Sequence, residues 1–182
     1  MIIGFYGGSF DPPHVAHLLA AAWVLATTEV DRVLVAPTYK HPLEKRSRAS
    51  FEHRMAMCEL AMADLERVQV SRVEEELGGD SLTLRTLEEL IRRHPQDSFR
   101  LILGSDLIDE VPRWHRYDEI VAKAQPIIVP RSGFCDGSAV ALPAVSSTDV
   151  RTRIADGKAV DQLIPRSVAH YIDEHGLYRS SD

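Results

Sequence analysis

Gly4-Phe5-Tyr6-Gly7-Gly8-Ser9-Phe10-Asp11-Pro12-Pro13-His14-Val15-Ala16-His17 is the stretch whose reading decides the fold. An apolar opening, Met1-Ile2-Ile3, precedes it and Leu18-Leu19-Ala20-Ala21-Ala22-Trp23-Val24-Leu25-Ala26 follows, so the order reads as strand, tight glycine loop, helix. Adjacent glycines let the backbone bend sharply and admit a ligand where a Cβ would clash. The first turn of the following helix leaves its N–H groups unpaired and electropositive. Such a site suits phosphate.

His14 and His17 sharpen that expectation. Three residues apart on a helix they project from neighbouring positions of one face, near the free N–H groups, so both can touch one anion. An imidazolium there adds charge and two donors, and a neutral ring still offers one N–H. Pro12-Pro13 marks the helix start. Other readings fit less well. A P-loop needs a Gly-Lys-Ser/Thr end and a dinucleotide fingerprint needs G-x-G-x-x-G, and neither is present. A zinc pair lacks the H-E-x-x-H form and a nearby cysteine. The remaining alternative makes the two histidines capping and packing groups in a tight turn.

The chain of 182 residues suits one domain, 1–182, able to bury a sizeable core, and 45% hydrophobic with 26% charged residues is ordinary for a soluble globular protein. No run of eighteen apolar residues and no secretion leader is seen, so the expectation is a cytoplasmic protein without a membrane partner. Cys58 and Cys135 lack a C-x-x-C pattern and read as reduced, packed thiols. A net charge of −6 disfavours nucleic acid as a partner, though not a small anion in a local positive pocket.

Further along, the apolar Leu18 to Thr28 helix reads as buried nearly all round, and Asp31 to Pro37 as a second, interior strand. The β-α-β order implies parallel pairing. Thr38 to Arg48 carries Lys40, Lys45, Arg46 and Arg48 around His41; it is either a solvated loop or a ligand loop at the carboxyl edge of the sheet. Ser50 can cap a helix from Phe51 to Ala63 with Phe51, Met55, Cys58 and Met62 as its core stripe and Arg54 on its polar side. Val68 to Ser71 reads as a short strand, Glu74-Glu75-Glu76 as a solvated acidic loop, and Asp80 or Ser81 as the start of a helix closed by His94-Pro95. Phe99 to Gly104 is an interior strand ending in Gly104-Ser105-Asp106, where the two polar residues are either a helix cap or ligand groups. A helix from Tyr117 to Ala124 and a strand from Pro126 to Pro130 follow, then a loop from Arg131 through Gly137. Val145 to Ile154 reads as strand turning into helix, with Ser147 and Thr148 near its start and Arg151 beside them, a second anion site. The last helix runs from Arg166 to His175 and stops at Gly176. These elements describe an α/β, Rossmann-like fold: a single domain with an open, mainly parallel sheet and helices on both faces.

Gly7-Gly8-Ser9-Phe10-Asp11-Pro12-Pro13-His14-Val15-Ala16-His17 resembles the G-G-x-F-D-P-x-H-x-G-H segment of the nucleotidyltransferase superfamily, and more closely its nicotinate-nucleotide adenylyltransferase branch. Gly104-Ser105-Asp106 with Pro112-Arg113-Trp114 looks like that family's glycine-alanine-aspartate and tryptophan segments, and Val145-Ser146-Ser147-Thr148-Asp149-Val150-Arg151 like its I-S-S-T-x-I-R segment. Leu163-Ile164-Pro165 and the last helix resemble its closing segment, so the likeness spans nearly the whole chain. Ala16 stands where the family usually has glycine; Ser81-Leu82-Thr83 is similar to its serine-tyrosine-threonine stretch with Leu82 for the aromatic, and Arg85 replaces an aspartate.

The resemblance implies transfer of AMP from ATP, with Mg2+, to nicotinate mononucleotide, forming deamido-NAD and pyrophosphate in NAD biosynthesis. It implies His14, His17 and Arg151 as catalytic groups, with Gly7, Gly8, Ser9, Phe10, Gly104, Asp106, Ser147 and Thr148 joining them around ATP. Lys40, Ser81, Thr83, Trp114 and Arg131 are the implied acceptor-binding residues, Trp114 stacking on the pyridine ring. No protein-held metal is implied. Because the attacking phosphate is already anionic, such an enzyme works by alignment and charge stabilisation. Two alternatives stay open: another small-molecule adenylyl- or cytidylyltransferase, such as a pantetheine-phosphate enzyme, and a non-catalytic nucleotide sensor. Oligomeric state stays open too.

Overall fold

The computed structural model describes residues 1–40, 47–133 and 141–179. Its strands are β1 (Ile2–Gly8), β2 (Arg32–Pro37), β3 (Val68–Val70), β4 (Ser98–Gly104) and β5 (Pro126–Val129). They form one sheet in the order β3-β2-β1-β4-β5, and every pairing is parallel. The chain therefore builds outward from β1 to β3, then returns to add β4 on the other side of β1. That reversal leaves a crevice at the carboxyl ends of β1 and β4.

Alternation along the strands explains why both faces are covered. Tyr6, Val33, Val35 and Ile102 point to one face and meet Ala20, Ala21 and Val24 of α1 (Val15–Thr27) with Cys58 and Met62 of α2 (Phe51–Met62). Ile3, Phe5, Leu101 and Leu103 point to the other, against α3 (Val73–Leu77), α4 (Thr83–Arg93) and α5 (Tyr117–Lys123). A third cluster joins the outer side of α2, through Met57 and Ala61, to α6 (Ser147–Ala155) and α7 (Arg166–Glu174) through Val150, Val168 and Ile172. Gly4 lies under Ile102, whose Cδ1 would stand 2.7 Å from an added Cβ, so β1 and β4 keep a small residue between them and α1.

The Rossmann-like expectation holds, with local corrections. Gly7 and Gly8 are extended residues of β1 and do not bend; the turn falls at Phe10, whose φ is 48°. Helix α1 buries Ala16, Ala20, Ala21 and Val24 but leaves Leu19 41% exposed, so it lies on the sheet by one face rather than being surrounded. Its all-apolar composition hid which face that was. Glu74-Glu75-Glu76 forms the short helix α3, and Glu74 is buried. Ser81 does not cap α4; Leu82 occupies the cap position. No strand precedes α6 in the described residues; Leu142 makes a single bridge to Arg131. Cys58 is a buried free thiol that burial pushes to a higher pKa, as a packed residue should be. Cys135, His41, Lys45 and Arg46 lie outside the described residues. No described helix is long and apolar enough to cross a membrane.

Leu87 is fully buried in the cluster beneath β1 and β4. Leu87→Ala is expected to lower the unfolding free energy by about 2–5 kcal/mol, read as a lower urea midpoint at unchanged slope.

Candidate active site

The crevice at the strand-order reversal holds a cavity of about 220 Å³. It is lined by Tyr6, Gly7 and Gly8 from β1, by His14 and His17, and by Gly104 and Asp106. Arg131, just beyond β5, and Ser146-Ser147, at the head of α6, complete the wall. A larger hollow of about 520 Å³ lies beyond Val145 among Asp149, Arg153, Asp156 and Lys158, away from both histidines. The chemistry-bearing side chains converge in the smaller one.

Backbone carbonyls of the loop after β1 are held from several directions. Arg54 Nη1 donates to the Ser9 carbonyl at 2.8 Å, Arg151 Nη1 to the Asp11 carbonyl at 2.6 Å, and Ser147 Oγ to the Pro12 carbonyl at 2.9 Å. The buried Asp11 carboxylate accepts the backbone N–H groups of Arg48 and Ala49, at 2.7 and 3.1 Å, and the Tyr178 hydroxyl at 2.7 Å. The histidine loop and the serine-threonine-arginine turn are therefore tied together directly. Arg54, which from the sequence belonged on the polar side of its helix, is 1% exposed because its guanidinium reaches inward to this loop.

His14 is the extended residue that precedes α1, so the two histidines do not share a helix. Their rings nevertheless stack, with centroids 3.7 Å apart and planes 22° apart. The His14 backbone N–H donates to Nδ1 of His17 at 3.1 Å. This is the reach-back half of a capping box, with histidine in the place of glutamate. It also fixes the His17 tautomer: Nδ1 is an acceptor, so in the neutral ring Nε2 carries the proton. Phe10 packs edge-on against the His17 ring at 4.8 Å.

Burial lowers the His14 pKa to about 3, with the Arg131 charge adding to the shift. His17 is likewise lowered well below its ordinary value by burial, then by His14 and Arg131. Both rings are neutral donors near pH 7, not the imidazolium ions that the sequence left open. Nδ1 of His14 is buried without a hydrogen-bond partner in the described structure.

Arg131 is the cation of the cavity wall and Asp106 its carboxylate; Nε and Oδ1 are 3.2 Å apart. Ser105 Oγ accepts the Arg131 backbone N–H at 2.9 Å, which fixes where the arginine begins. Ser105 and Asp106 thus act as partners of Arg131 and not as helix caps. Gly104 is required by close approach: an added Cβ would lie 2.2 Å from Asp106 Oδ1 and 2.9 Å from Arg131 Nε. Tyr6 is buried, and burial pushes its hydroxyl up to about 12, with the nearby Arg131 charge pulling the other way.

Of the residues singled out from sequence, Gly7, Gly8, His14, His17, Gly104, Asp106, Ser147 and Arg131 meet at one cavity. Arg131, expected beside the acceptor, lines the same cavity as the two histidines and Asp106. Ser9 and Phe10 lie behind the wall, as a carbonyl partner for Arg54 and a ring support for His17. Arg151 is turned to the Asp11 carbonyl and to Thr148 Oγ1, so both brace the loop from outside. Lys40 pairs with Asp80 at 3.0 Å, and Ser81 Oγ accepts the N–H groups of Tyr39 and Lys40 at 3.0 and 3.3 Å. Lys40, Ser81 and Thr83 therefore form a separate shelf at the exit of β2, beside β1 through the Thr38 N–H to Gly8 carbonyl bond of 2.8 Å. Trp114 is half-buried against the α4 and α5 side of the core.

Tyr6, Asp11, Ser146 and Tyr178 were missed as functional residues. Tyr6, Asp11 and Ser146 lay inside recognised motifs, but Tyr178 reaches Asp11 across 167 residues of sequence with no local signal. No group of three or more His, Cys, Asp or Glu side chains among the described residues is placed to hold a metal.

Residues 5–153 match the cytidylyltransferase-like family. A probable nicotinate-nucleotide adenylyltransferase of Anaeromyxobacter sp. (strain K) is 47% identical over 97% of this chain and 96% of its own. One from Bacillus pumilus (strain SAFR-032) is 39% identical over 98% of both chains. Among solved structures, Plasmodium falciparum nicotinic acid mononucleotide adenylyltransferase complexed with NaAD superposes with a TM-score of 0.83 at 21% identity, covering 97% of each chain, which shows a shared fold. With the shared cavity at the reversal of strand order, these likenesses place the chain plainly: it belongs to the cytidylyltransferase-like family, in the family of nicotinate-nucleotide adenylyltransferases.

Proposed function

We propose that the chain is a single nucleotidyltransferase domain, residues 1–182, that transfers AMP from ATP to nicotinate mononucleotide, making deamido-NAD and pyrophosphate for NAD biosynthesis. The observation that carries this reading is the convergence of the stacked histidines, the Arg131–Asp106 pair and the head of α6 on one cavity. Relatives named for this reaction supply the substrates.

A phosphate oxygen of the mononucleotide attacks the α-phosphorus of ATP, and the bond to the bridging oxygen of the β-phosphate breaks. No side chain need remove a proton, since the nucleophile is already ionised. Catalysis then rests on alignment and on donors aimed at the five-coordinate phosphorus and departing pyrophosphate. His17 offers Nε2–H and His14 its own ring N–H; Arg131 supplies positive charge, and the α6 amino terminus faces the outer phosphates. Asp106, acceptor-only, suits the nucleotide hydroxyls. ATP enters as its magnesium complex, the ion being coordinated by phosphate and water. Acceptor contacts fall to Lys40, Thr83, Trp114 and the backbone near Ser81. The site of reaction is proposed to be cytoplasmic.

Purified protein given ATP or CTP with nicotinate mononucleotide, nicotinamide mononucleotide or phosphopantetheine in turn is expected to release pyrophosphate fastest with ATP and nicotinate mononucleotide. A faster reaction with either other acceptor reassigns the substrate, and none with any acceptor rejects the enzyme. His17→Ala is expected to lower kcat by about 10²–10³. Losing the reach-back bond should cost only about 1 kcal/mol, or about 2–4 °C in Tm; an unchanged kcat removes His17 from the reaction.

Acid stability reports the neutral histidine. Between its ordinary pKa of 6.5 and the folded value of about 3, the unfolded chain binds a proton on His14 that the folded chain does not. Stability therefore rises with pH across that window and falls as pH drops, by up to about 1.4 kcal/mol per pH unit from this group. Urea titrations of His14→Gln from pH 7 to 4 are expected to show a shallower decline than the wild type.

A further inference from the structure

Arg54 carries a charge that the reaction above does not use. It sits in the first turn of α2 and is 1% exposed. No carboxylate among the described residues forms an ion pair with it; the Phe51 ring, 5.5 Å from Cζ to centroid, offers partial compensation. Burial lowers its pKa, but a guanidinium stays charged. Nε is buried without a partner, and the side chain's one hydrogen bond among the described residues runs from Nη1 to the Ser9 carbonyl at 2.8 Å. Methionine in this place would avoid the cost of burying a charge. What arginine adds is a donor trained on a single carbonyl.

That carbonyl belongs to the peptide unit between Ser9 and Phe10, whose rotation about the Phe10 N–Cα bond is the Phe10 φ. The angle is 48°, in the left-handed region that an aromatic residue rarely adopts. Such a backbone persists only where its surroundings hold it. Here it is held on both sides, by Arg54 on the Ser9 carbonyl and by Arg151 on the Asp11 carbonyl at 2.6 Å. The ring is thereby turned back over β1: a Cβ added at Gly8 would stand 3.2 Å from it, and it meets Tyr6 edge-on at 5.5 Å. It also meets His17, with ring centroids 4.8 Å apart. The His14 N–H fixes Nδ1 of His17, but one hydrogen bond leaves an imidazole free to swivel. The stack on His14 and the edge of Phe10 remove that freedom, so Nε2 has a set direction.

We infer that Arg54 is a positioning residue for His17, acting through the Ser9–Phe10 peptide and the Phe10 ring. The inference rests on the proposed function and assigns Arg54 no contact with substrate. Every link is a contact within the loop or at its edge, and the arginine is the only member contributed by α2.

The test is steady-state kinetics of the full chain, with kcat expressed per folded molecule and ATP and nicotinate mononucleotide varied separately. Arg54→Met, which fills the same space without a donor, is expected to lower kcat about 10- to 100-fold, the cost of a misaimed group in an aligned site. Both KM values should stay within about threefold of wild type, since no substrate contact is removed. Arg54→Lys should recover part of the lost kcat, one donor being enough for one carbonyl. Phe10→Leu, which keeps an apolar side chain but takes the ring edge from His17, should lower kcat in the same way. The double variant of Arg54→Met with Phe10→Leu should be within about twofold of the slower single one, because both break one chain of contacts. An unchanged kcat in Arg54→Met, a KM that rises as far as kcat falls, a lysine variant as slow as the methionine one, or additive losses in the double variant overturns the inference. If Arg54→Met does not fold, Phe10→Leu decides: a lowered kcat with both KM values kept upholds the inference, and an unaltered kcat overturns it. A wild-type protein inactive with nicotinate mononucleotide overturns the proposed function first, and the inference with it; an active wild type with indifferent variants overturns the inference alone.

Discussion

Asp11 is the group around which the site is assembled. A buried carboxylate must have its lone pairs met, and here they are met by two backbone N–H groups at the root of the basic loop and by the Tyr178 hydroxyl of the carboxyl-terminal segment. Its own carbonyl accepts Arg151 from α6. Three stretches remote in sequence are thereby fixed to the residue three places before His14. A loop freed of those contacts would leave the stacked rings without a set position relative to Arg131 and α6. Alignment is what the proposed reaction asks of the protein, so this hub has catalytic weight without touching substrate.

The electrostatics follow a related logic. A chain of net charge −6 has to attract a polyanion, and it does so with little formal charge at the cavity. Both imidazoles are held neutral by burial, and Arg131 is partly balanced by Asp106. What remains is directional: ring N–H groups, backbone N–H groups and the head of α6, fixed before any ligand arrives. Preorganised dipoles of this kind need no rearrangement as charge develops.

Much of this was legible in the sequence because interior strands announce themselves. β2, β4 and β5 are β-branched or leucine-rich runs ended by glycine or proline, and the motif after β1 placed two histidines at the right edge of the sheet. Lost were the features set by tertiary contact. Arg54 reads as surface on its helix, yet its partner is a carbonyl of another segment. Three consecutive glutamates read as a solvated loop, yet Glu74 is buried and accepts a hydrogen bond from the Thr86 hydroxyl. Local sequence shows Arg131 only as a loop start; the parallel pairing of β4 with β5 brings it to Asp106. Of Ser147, Thr148 and Arg151 at the head of α6, Ser147 lines the cavity, while Arg151 donates to Thr148 Oγ1 and to the Asp11 carbonyl.

The departures from the family pattern bear on whether chemistry survives. Ala16, the one change inside the histidine motif, is fully buried in the packing and is not among the residues that line the cavity. Arg85 closes the carboxyl end of α3, and Leu82 sits extended at the head of α4. Both belong to the shelf beside β2 and neither faces the stacked histidines. A protein drifting toward mere nucleotide sensing has no need to keep donors trained on a scissile phosphorus, whereas loss of acceptor recognition would alter the shelf first. Leu82 and Arg85 fall on the shelf proposed for the acceptor, and neither lines the cavity proposed for the phosphates. That division argues for an adenylyltransferase and against a sensor.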